Sequence, residues 1–317
     1  MDGLLIIDKP AGMTSHDVVS RVRRILRERR IGHTGTLDPF ATGVLILLVG
    51  RATRLAQFLS GADKEYEAVI RLGFATDTGD VDGSPLSISN DEERRLSWSD
   101  DELKTAMSRL RGEISQVPPM YSAKKRDGRR LYELARRGEE IERQPVRVTI
   151  HTFELGSETS ANSFRHVKRN EDGTTDVAVR VVCSAGTYVR SLAEDFGKLL
   201  GIGAHVAQLR RTRAGDFRVG DAIGLEQLQQ IVDQGSLGTI LLPPDAALSR
   251  LPFVHLSARD AQLARNGMAI SLKASTWLDE EKVRIKDEEG RLIGVGHYEA
   301  SRQLLHPRVV LAKENTD

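Results

Sequence analysis

The 317-residue chain reads as an α+β protein, with a first domain over residues 1–250 built on a mixed sheet and a small β-rich domain over 251–317. Three observations predict this. Strand-like and helix-like stretches alternate irregularly, which suits a mixed sheet better than a doubly wound parallel one. The run Val44–Val49 is apolar without a break, as a strand covered on both faces must be. After Pro243-Pro244 the pattern changes to one short helix and several short strands.

Taken in order, Leu4–Asp8 is an apolar strand ended by the Pro/Gly turn Lys9-Pro10-Ala11-Gly12. Thr14 with Asp17 three residues on forms a capping box, and Val18, Val19, Val22, Ile25 and Leu26 fall on one helical face. Arg21, Arg24 and Arg27 lie opposite, and the helix is expected to end near Arg30. A glycine-rich loop, Ile31–Gly43, then precedes the Val44–Val49 strand. Ala52–Ser60 reads as a helix stopped by Gly61, Tyr66–Leu72 as a strand, and Ser84–Ser97 as a polar connector. Ser99 and Glu102 cap a helix running toward Arg111. Val177–Cys183 is β-branched and strand-like, while Ser191–Leu200 and Leu225–Asp233 are helices ended near Gly201 and Gly235. In the second domain a helix, Ser257–Asn266, stops at Gly267. Strands follow at Val283–Lys286, Leu292–Gly296 and Val309–Leu311, the first two joined by a turn at Glu288-Glu289-Gly290.

Composition narrows the class. No apolar run approaches the roughly 20 residues of a membrane span, and MDGLLIIDKP is too short and too soon charged for a signal peptide, so the expected location is cytoplasmic. A single cysteine, Cys183, excludes an intrachain disulfide and a multi-cysteine zinc site. Lys+Arg is 46 against 45 for Asp+Glu, so only the distribution of charge can point to nucleic acid. From Pro118 to Arg137 there are seven basic residues, Lys124, Lys125 and Arg129 among them, against Asp127 and Glu133, and a second basic cluster is Arg210, Arg211 and Arg213. Either could track a phosphate backbone or be a solvated face.

Standard catalytic motifs fail on spacing. Gly32–Gly43 lacks the Lys-Ser/Thr of a P-loop, and Gly201-Ile-Gly203 has Val206 where a dinucleotide fingerprint needs a third glycine. Asp77–Gly83 offers Asp80, Asp82 and Gly83 in the order of a calcium loop, but Thr78 stands at the first ligand position and Ser89 where the bidentate Glu should be. There is no His-Glu-x-x-His, and Cys183 sits in an apolar strand. What remains is an aspartate in a Gly/Thr-rich loop, scattered arginines, a few tyrosines and two basic segments.

Those segments resemble the TruB family of tRNA pseudouridine synthases. The resemblance rests on Lys9-Pro-Ala-Gly-Met-Thr-Ser15, Gly32-His-Thr-Gly-Thr-Leu-Asp-Pro39 with Ala41-Thr-Gly-Val-Leu45, and Lys64-Glu-Tyr-Glu67. It continues through Val117-Pro-Pro-Met-Tyr-Ser-Ala-Lys124, Leu131-Tyr-Glu-Leu-Ala-Arg-Arg-Gly138, Cys183-Ser-Ala-Gly-Thr-Tyr-Val-Arg-Ser191 and Gly203-Ala-His-Val-Ala-Gln-Leu-Arg-Arg-Thr212. Gly290-Arg-Leu-Ile-Gly-Val-Gly296 and His306-Pro-Arg-Val-Val310 are loosely similar to a PUA-like RNA-binding domain.

The resemblance implies a pseudouridine-synthase-type mixed, largely antiparallel sheet with helices, plus a small C-terminal PUA-like β domain. It also implies isomerisation of uridine 55 in the T-loop of tRNA by a monomer that needs no metal, cofactor or protein partner. Asp38 becomes the catalytic carboxylate, because detaching uracil at N1 and rejoining it at C5 needs a group that adds to C1′ or stabilises charge there. Arg190 would hold that carboxylate, and Tyr66 would stack on the base and serve proton transfer. Tyr188 and Leu209 match the uracil pocket, and His33 the residue that fills the space of a flipped-out uridine. Lys9 and Lys64 would support the loop or contact phosphate, and Lys124 and Arg129 belong to an RNA-clamping thumb loop at about 118–143. Two competing readings are a non-catalytic RNA-binding module, which would need neither Asp38 nor Arg190, and a guide-RNA-dependent relative inside a ribonucleoprotein.

Overall fold

The structure, a computed structural model, describes residues 1–86, 98–122, 141–156, 166–272 and 276–311, with the backbone alone at 125–126 and 129–130. The first domain is one large sheet whose strands are β1 (Gly3–Lys9), β2 (Ile31–His33), β3 (Thr42–Val49), β4 (Lys64–Gly73) and β5 (Gly112–Gln116). A small separate pair, β6 (Lys125–Arg126) and β7 (Arg129–Arg130), follows, then β8 (Val146–Leu155), β9 (Val167–Arg169), β10 (Thr175–Cys183), β11 (Gly203–Ala214) and β12 (Phe217–Arg218). The order across the sheet is β1-β3-β11-β4-β10-β8-β5, with β2 added to β3, β12 to β11 and β9 to β10. Every pairing is antiparallel except β3 with β11, so the sheet is mixed and largely antiparallel.

The apolar runs of β1 and β3 are explained by what covers them. Leu4, Ile6, Val44, Ile46 and Leu48 point into a core shared with Ala247, Leu248, Val295 and Leu311 from the C-terminal part. Leu5, Ile7, Leu45, Leu47 and Val49 point the other way, against Val18, Val19, Val22 and Leu26 of the helix Ser15–Leu26 and Leu225 and Leu228 of the helix Leu225–Asp233. With both faces buried, neither strand can carry a polar alternation. Toward the other edge, β4, β8, β10 and β11 pack Ile70, Phe153, Val179 and Val206 against Leu192 and Phe196 of the helix Val189–Leu199.

A second sheet has the order β13-β15-β16-β17-β14, from β13 (Phe253–His255), β14 (Ile270–Ser271), β15 (Lys282–Lys286), β16 (Leu292–Glu299) and β17 (Leu304–Val310), with the helix Ala258–Arg265 packed on it. Asp245 accepts from Arg284 and Lys286, and Arg54 donates to the carbonyl of Val310, so the two sheets are tied by charge as well as by the shared core.

Several expectations are corrected. The first helix ends at Leu26 rather than near Arg30, because Arg27 is left-handed (φ 52°) and the chain must turn to pair Ile31–His33 with β3. Arg23 donates to the Ile31 carbonyl and fixes that turn. The expected helix Ala52–Ser60 is a 3-10 turn, Gly50–Leu55, followed by one α-turn, Ala56–Leu59. The strand expected at Val309–Leu311 is the end of the longer β17. β5, β8 and the twelve-residue β11 were not anticipated, although β11 lies inside the sheet between β3 and β4. Most of the Ser84–Ser97 connector lies outside the described residues.

Candidate active site

Asp38 sits in the loop between β2 and β3, and buried polar groups hold that loop from three sides. Ser15, at the start of the first helix, both accepts from the Leu37 amide (2.9 Å) and donates to its carbonyl (3.2 Å). Lys9, fully buried at the end of β1, donates to the carbonyls of Pro10, Met13 and Pro39 at 2.8, 2.6 and 3.1 Å. Arg211 on β11, also buried, donates to the carbonyls of Val44 (2.7 Å), Gly35 (3.1 Å) and Thr36 (3.4 Å). Leu37 is the loop's apolar anchor in the core. A loop whose carbonyls are this fully used has little freedom to move its carboxylate.

The same region explains one glycine. Gly43 has φ +102°, and a Cβ there would lie 2.2 Å from the Arg211 carbonyl oxygen, where β3 and β11 make their parallel approach. Only glycine fits.

Arg190 arrives from the other side, in the first turn of the helix Val189–Leu199. A cation is unfavourable at a helix N-terminus, yet this one is buried. Two carboxylates offset that: Nε and Nη2 face the two oxygens of Asp38 at 3.0 and 3.2 Å, and Nη1 lies 3.4 Å from Oδ2 of Asp80. Nη1 also donates to the Thr78 carbonyl (2.8 Å) and Nη2 to that of Tyr121 (2.7 Å). Asp80 is itself fixed, accepting from the Thr78 hydroxyl (2.6 Å) and the Asp82 amide (3.2 Å). The helix start is set by Gln116, which accepts from the Tyr188 amide and donates to its carbonyl.

These elements enclose a cleft of about 260 Å³ lined by Asp38, Lys64, Tyr66, Tyr188, Arg190, Leu209 and Arg211, among others. Asp38 is the only carboxylate lining it among the described residues. Burial pushes the Asp38 carboxyl above the ordinary carboxylate value, the Arg190 guanidinium pulls it back, and the Asp80 charge adds to the rise. Burial also raises the phenols of Tyr66 and Tyr188, and lowers the Lys64 ammonium to about 8. Lys64 donates to the carbonyls of Ser60 and Ala62. Burial brings Lys9 to about 8 as well.

The structure thus places Asp38, Arg190, Tyr66, Tyr188, Leu209 and Lys64 on one cleft. Lys9 and His33 do not line it. His33, at the end of β2, meets His16 edge-on at 5.5 Å, has a buried Nδ1 without a partner, and is held at about 4 by burial. Lys124 lies outside the described residues, as does the Arg129 side chain; Arg129 is placed only as backbone in β7. In the basic cluster Arg210, Arg211 and Arg213, each side chain has partners within the protein. Arg210 forms a two-pronged pair with Asp8, Arg211 holds the loop that carries Asp38, and Arg213 donates to the Gly215 carbonyl beside Glu65. Sequence reasoning missed Arg211, Gln116, Ser15 and Asp80; Asp80 was weighed only as a calcium ligand. Among the described residues no group of three or more His, Cys, Asp or Glu side chains is arranged to hold a metal ion, and no helix is long and apolar enough to cross a membrane.

Comparison with known proteins agrees over the length of the chain. Residues 23–189 match the profile "TruB family pseudouridylate synthase (N terminal domain)". Residues 190–249 match "tRNA pseudouridylate synthase B C-terminal domain", and 252–311 match "Pseudouridine synthase II TruB, C-terminal". The "tRNA pseudouridine synthase B" of Aromatoleum aromaticum is 43% identical over 310 residues, covering 98% of this chain and 93% of the relative. The protein of the same name from Pseudomonas aeruginosa is 43% identical over 302 residues, covering 93% of this chain and 91% of its own. Among solved structures, a chain of a Cbf5-Nop10-Gar1 complex superposes with a TM-score of 0.72 at 26% identity, covering 99% of this chain and 86% of that one.

Proposed function

The chain belongs to the TruB family of pseudouridylate synthases, and on that premise we propose that it converts uridine 55 in the T-loop of tRNA to pseudouridine, with Asp38 as the attacking carboxylate. The observation that carries the assignment is that Asp38 is the one carboxylate lining the cleft among the described residues and faces a buried arginine through both its oxygens.

The flipped uridine presents C1′ to Asp38. The carboxylate adds at C1′, or takes the C2′ proton so that a glycal forms and returns it to C2′ when C5 bonds C1′, while the N1–C1′ bond breaks and uracil leaves with the electron pair. Arg190 keeps the carboxylate ionised against its burial and fixes the line of attack. Uracil then turns between Tyr66, Tyr188 and Leu209, and C5 joins C1′. The C5 proton leaves last, and the released Asp38 carboxylate is the nearest base. Tyr66, its phenol raised by burial, acts as a protonated stacking partner rather than as a phenolate. Lys9 and Lys64 serve as supports, since their ammonium groups are spent on backbone carbonyls. His33 occupies the space the uridine leaves, and the thumb segment at 118–143, with Lys124 and Arg129, clamps the RNA. The protein acts as a cytoplasmic monomer without an obligatory protein partner, and residues 251–317 are its PUA-like RNA-binding domain.

Incubating purified protein with an unmodified tRNA transcript and mapping pseudouridine along the strand tests the reading. Asp38→Asn is expected to abolish formation while keeping tRNA affinity within roughly tenfold. Turnover by that variant, or pseudouridine at a position other than 55, would refute it.

A further inference from the structure

The cations around the cleft are spent on the protein itself. Lys9, Lys64 and Arg211 donate to backbone carbonyls, and Arg190 is shared between two carboxylates. A polyanionic substrate therefore needs other positive groups.

A dense set lies on the first helix and the turn after it. Arg21, Arg23, Arg24, Arg27, Arg29 and Arg30 are all exposed, and Glu28 is the only acid in that stretch. Glu28 is turned to the backbone, where it accepts from the Arg30 amide. Among the described residues no ion pair reaches any of the six. On the neighbouring helix Leu225–Asp233, the Asp233 carboxylate accepts from Gln229.

Two features set this surface apart from an ordinary solvated face. The whole chain carries a net charge of +1, so the patch is a local concentration of positive charge and not a share of general basicity. Like charges three apart on a helix, such as Arg21 and Arg24, repel. The helix dipole accounts for Arg23 and Arg24 in the last turn and for Arg27 at the C-cap, but not for Arg21, Arg29 or Arg30. Moreover, every cation is arginine and none is lysine, and the guanidinium fork matches phosphate oxygens in pairs. The patch lies outside the cleft: the helix starts beside the Asp38 loop, where Ser15 meets Leu37, and runs to the opposite end of β3, where the Arg30 carbonyl accepts from the Gly50 amide.

We propose that Arg21, Arg24, Arg27 and Arg29 form a second phosphate-binding surface, outside the cleft, which grips the substrate RNA backbone away from the nucleotide held at Asp38. The proposal rests on the RNA-modifying role argued above. These four side chains do little for the fold: Arg24 makes one long contact to the Ser20 carbonyl, at 3.4 Å, whereas Arg23 holds Ile31 and is left in place.

The test compares wild type, the fourfold Arg→Gln variant and the fourfold Arg→Lys variant at these positions. Each is titrated against unmodified tRNA transcript across a range of salt, with thermal midpoints measured in parallel. The glutamine variant is expected to bind at least about tenfold more weakly at ~0.1 M salt, with the slope of log Kobs against log[salt] reduced by about 0.7–0.9 for each phosphate no longer neutralised. The lysine variant is expected to retain most of the slope. Wild-type affinity and slope in the glutamine variant would overturn the proposal and leave the patch a solvated face or a contact for an acidic protein. An equal loss of slope in the lysine variant would also overturn it, by tracing the effect to the helix rather than to charge. Wild-type protein that binds tRNA but forms no pseudouridine would instead sink the assigned reaction, leaving the binding comparison intact.

Discussion

Replacing Arg211 with lysine separates holding the core together from holding the Asp38 loop in place. The arginine is 2% exposed and its three nitrogens serve three carbonyls, those of Val44, Gly35 and Thr36. A lysine keeps the charge but brings one nitrogen, so about two of these carbonyls lose their donor. Each buried carbonyl left unpaired costs about 1–3 kcal/mol, and the 3.4 Å bond to Thr36 counts at the low end, giving roughly 2–4 kcal/mol in all. For a protein of this size that corresponds to a fall in Tm of about 3–6 °C. Gly35 and Thr36 lie three and two residues before Asp38. A shift of ~1 Å in a reacting group can cost on the order of 100-fold. The expected result is a single-turnover rate lowered about 10- to 100-fold with tRNA affinity within about threefold, read by pseudouridine mapping at saturating enzyme and by thermal melts. Arg213→Lys, which changes a neighbour outside the loop, is the control. A lower Tm with an unchanged rate would show that Arg211 supports the core alone, and no change in either would remove the argument altogether.

Further perturbations test the site's electrostatics. In Asp80→Asn a like charge beside Asp38 disappears, so the raised Asp38 carboxyl falls and the acid limb of the single-turnover rate moves to lower pH. The same change removes one anchor of Arg190, so the plateau rate is expected to drop by about tenfold or more; an acid limb that moved upward would contradict the assignment. His33 is held at about 4 against an ordinary 6.5, so the unfolded chain takes up a proton below pH 6.5 that the folded one refuses. That stability is present above pH 6.5 and is lost as pH falls toward 4, by up to roughly 3 kcal/mol. Urea melts at pH 6.5 and 4.5 should therefore show a smaller loss for His33→Gln than for wild type, and equal losses would refute the burial argument.

The fold was legible in the sequence where a local signal coincided with its tertiary role. Thr14 with Asp17 and Ser99 with Glu102 announce capping boxes, and both form. The apolar run of β3 announces a strand covered twice, and both covers are present. β11 was not legible because Gln208, Arg210, Arg211, Thr212 and Arg213 break the apolar alternation by which a strand is recognised. Their partners lie far along the chain: Arg210 pairs with Asp8, and Arg213 lies beside Glu65. A strand whose polar groups are matched only by distant residues carries no local sign of its burial.

The same reasoning explains which parts of the site were recoverable. Asp38 and Arg190 stand in motifs, so resemblance finds them, although 152 positions separate them. Strand parity places Arg211 once β11 is known to be a strand. Leu209 was expected in the uracil pocket, and side chains two apart on a strand share a face, so Arg211 must point the same way. In the register, Leu209 pairs with Ala68 and Arg211 with Tyr66, and Leu209, Arg211 and Tyr66 all line the cleft. An arginine forced inward by parity must find acceptors. The carbonyls of a glycine-rich loop, which cannot all be used by the loop itself, are natural ones. Asp80 had no such route, because the loop carrying it meets Arg190 only once Val206 has docked against Gly79, a contact the sequence nowhere announces.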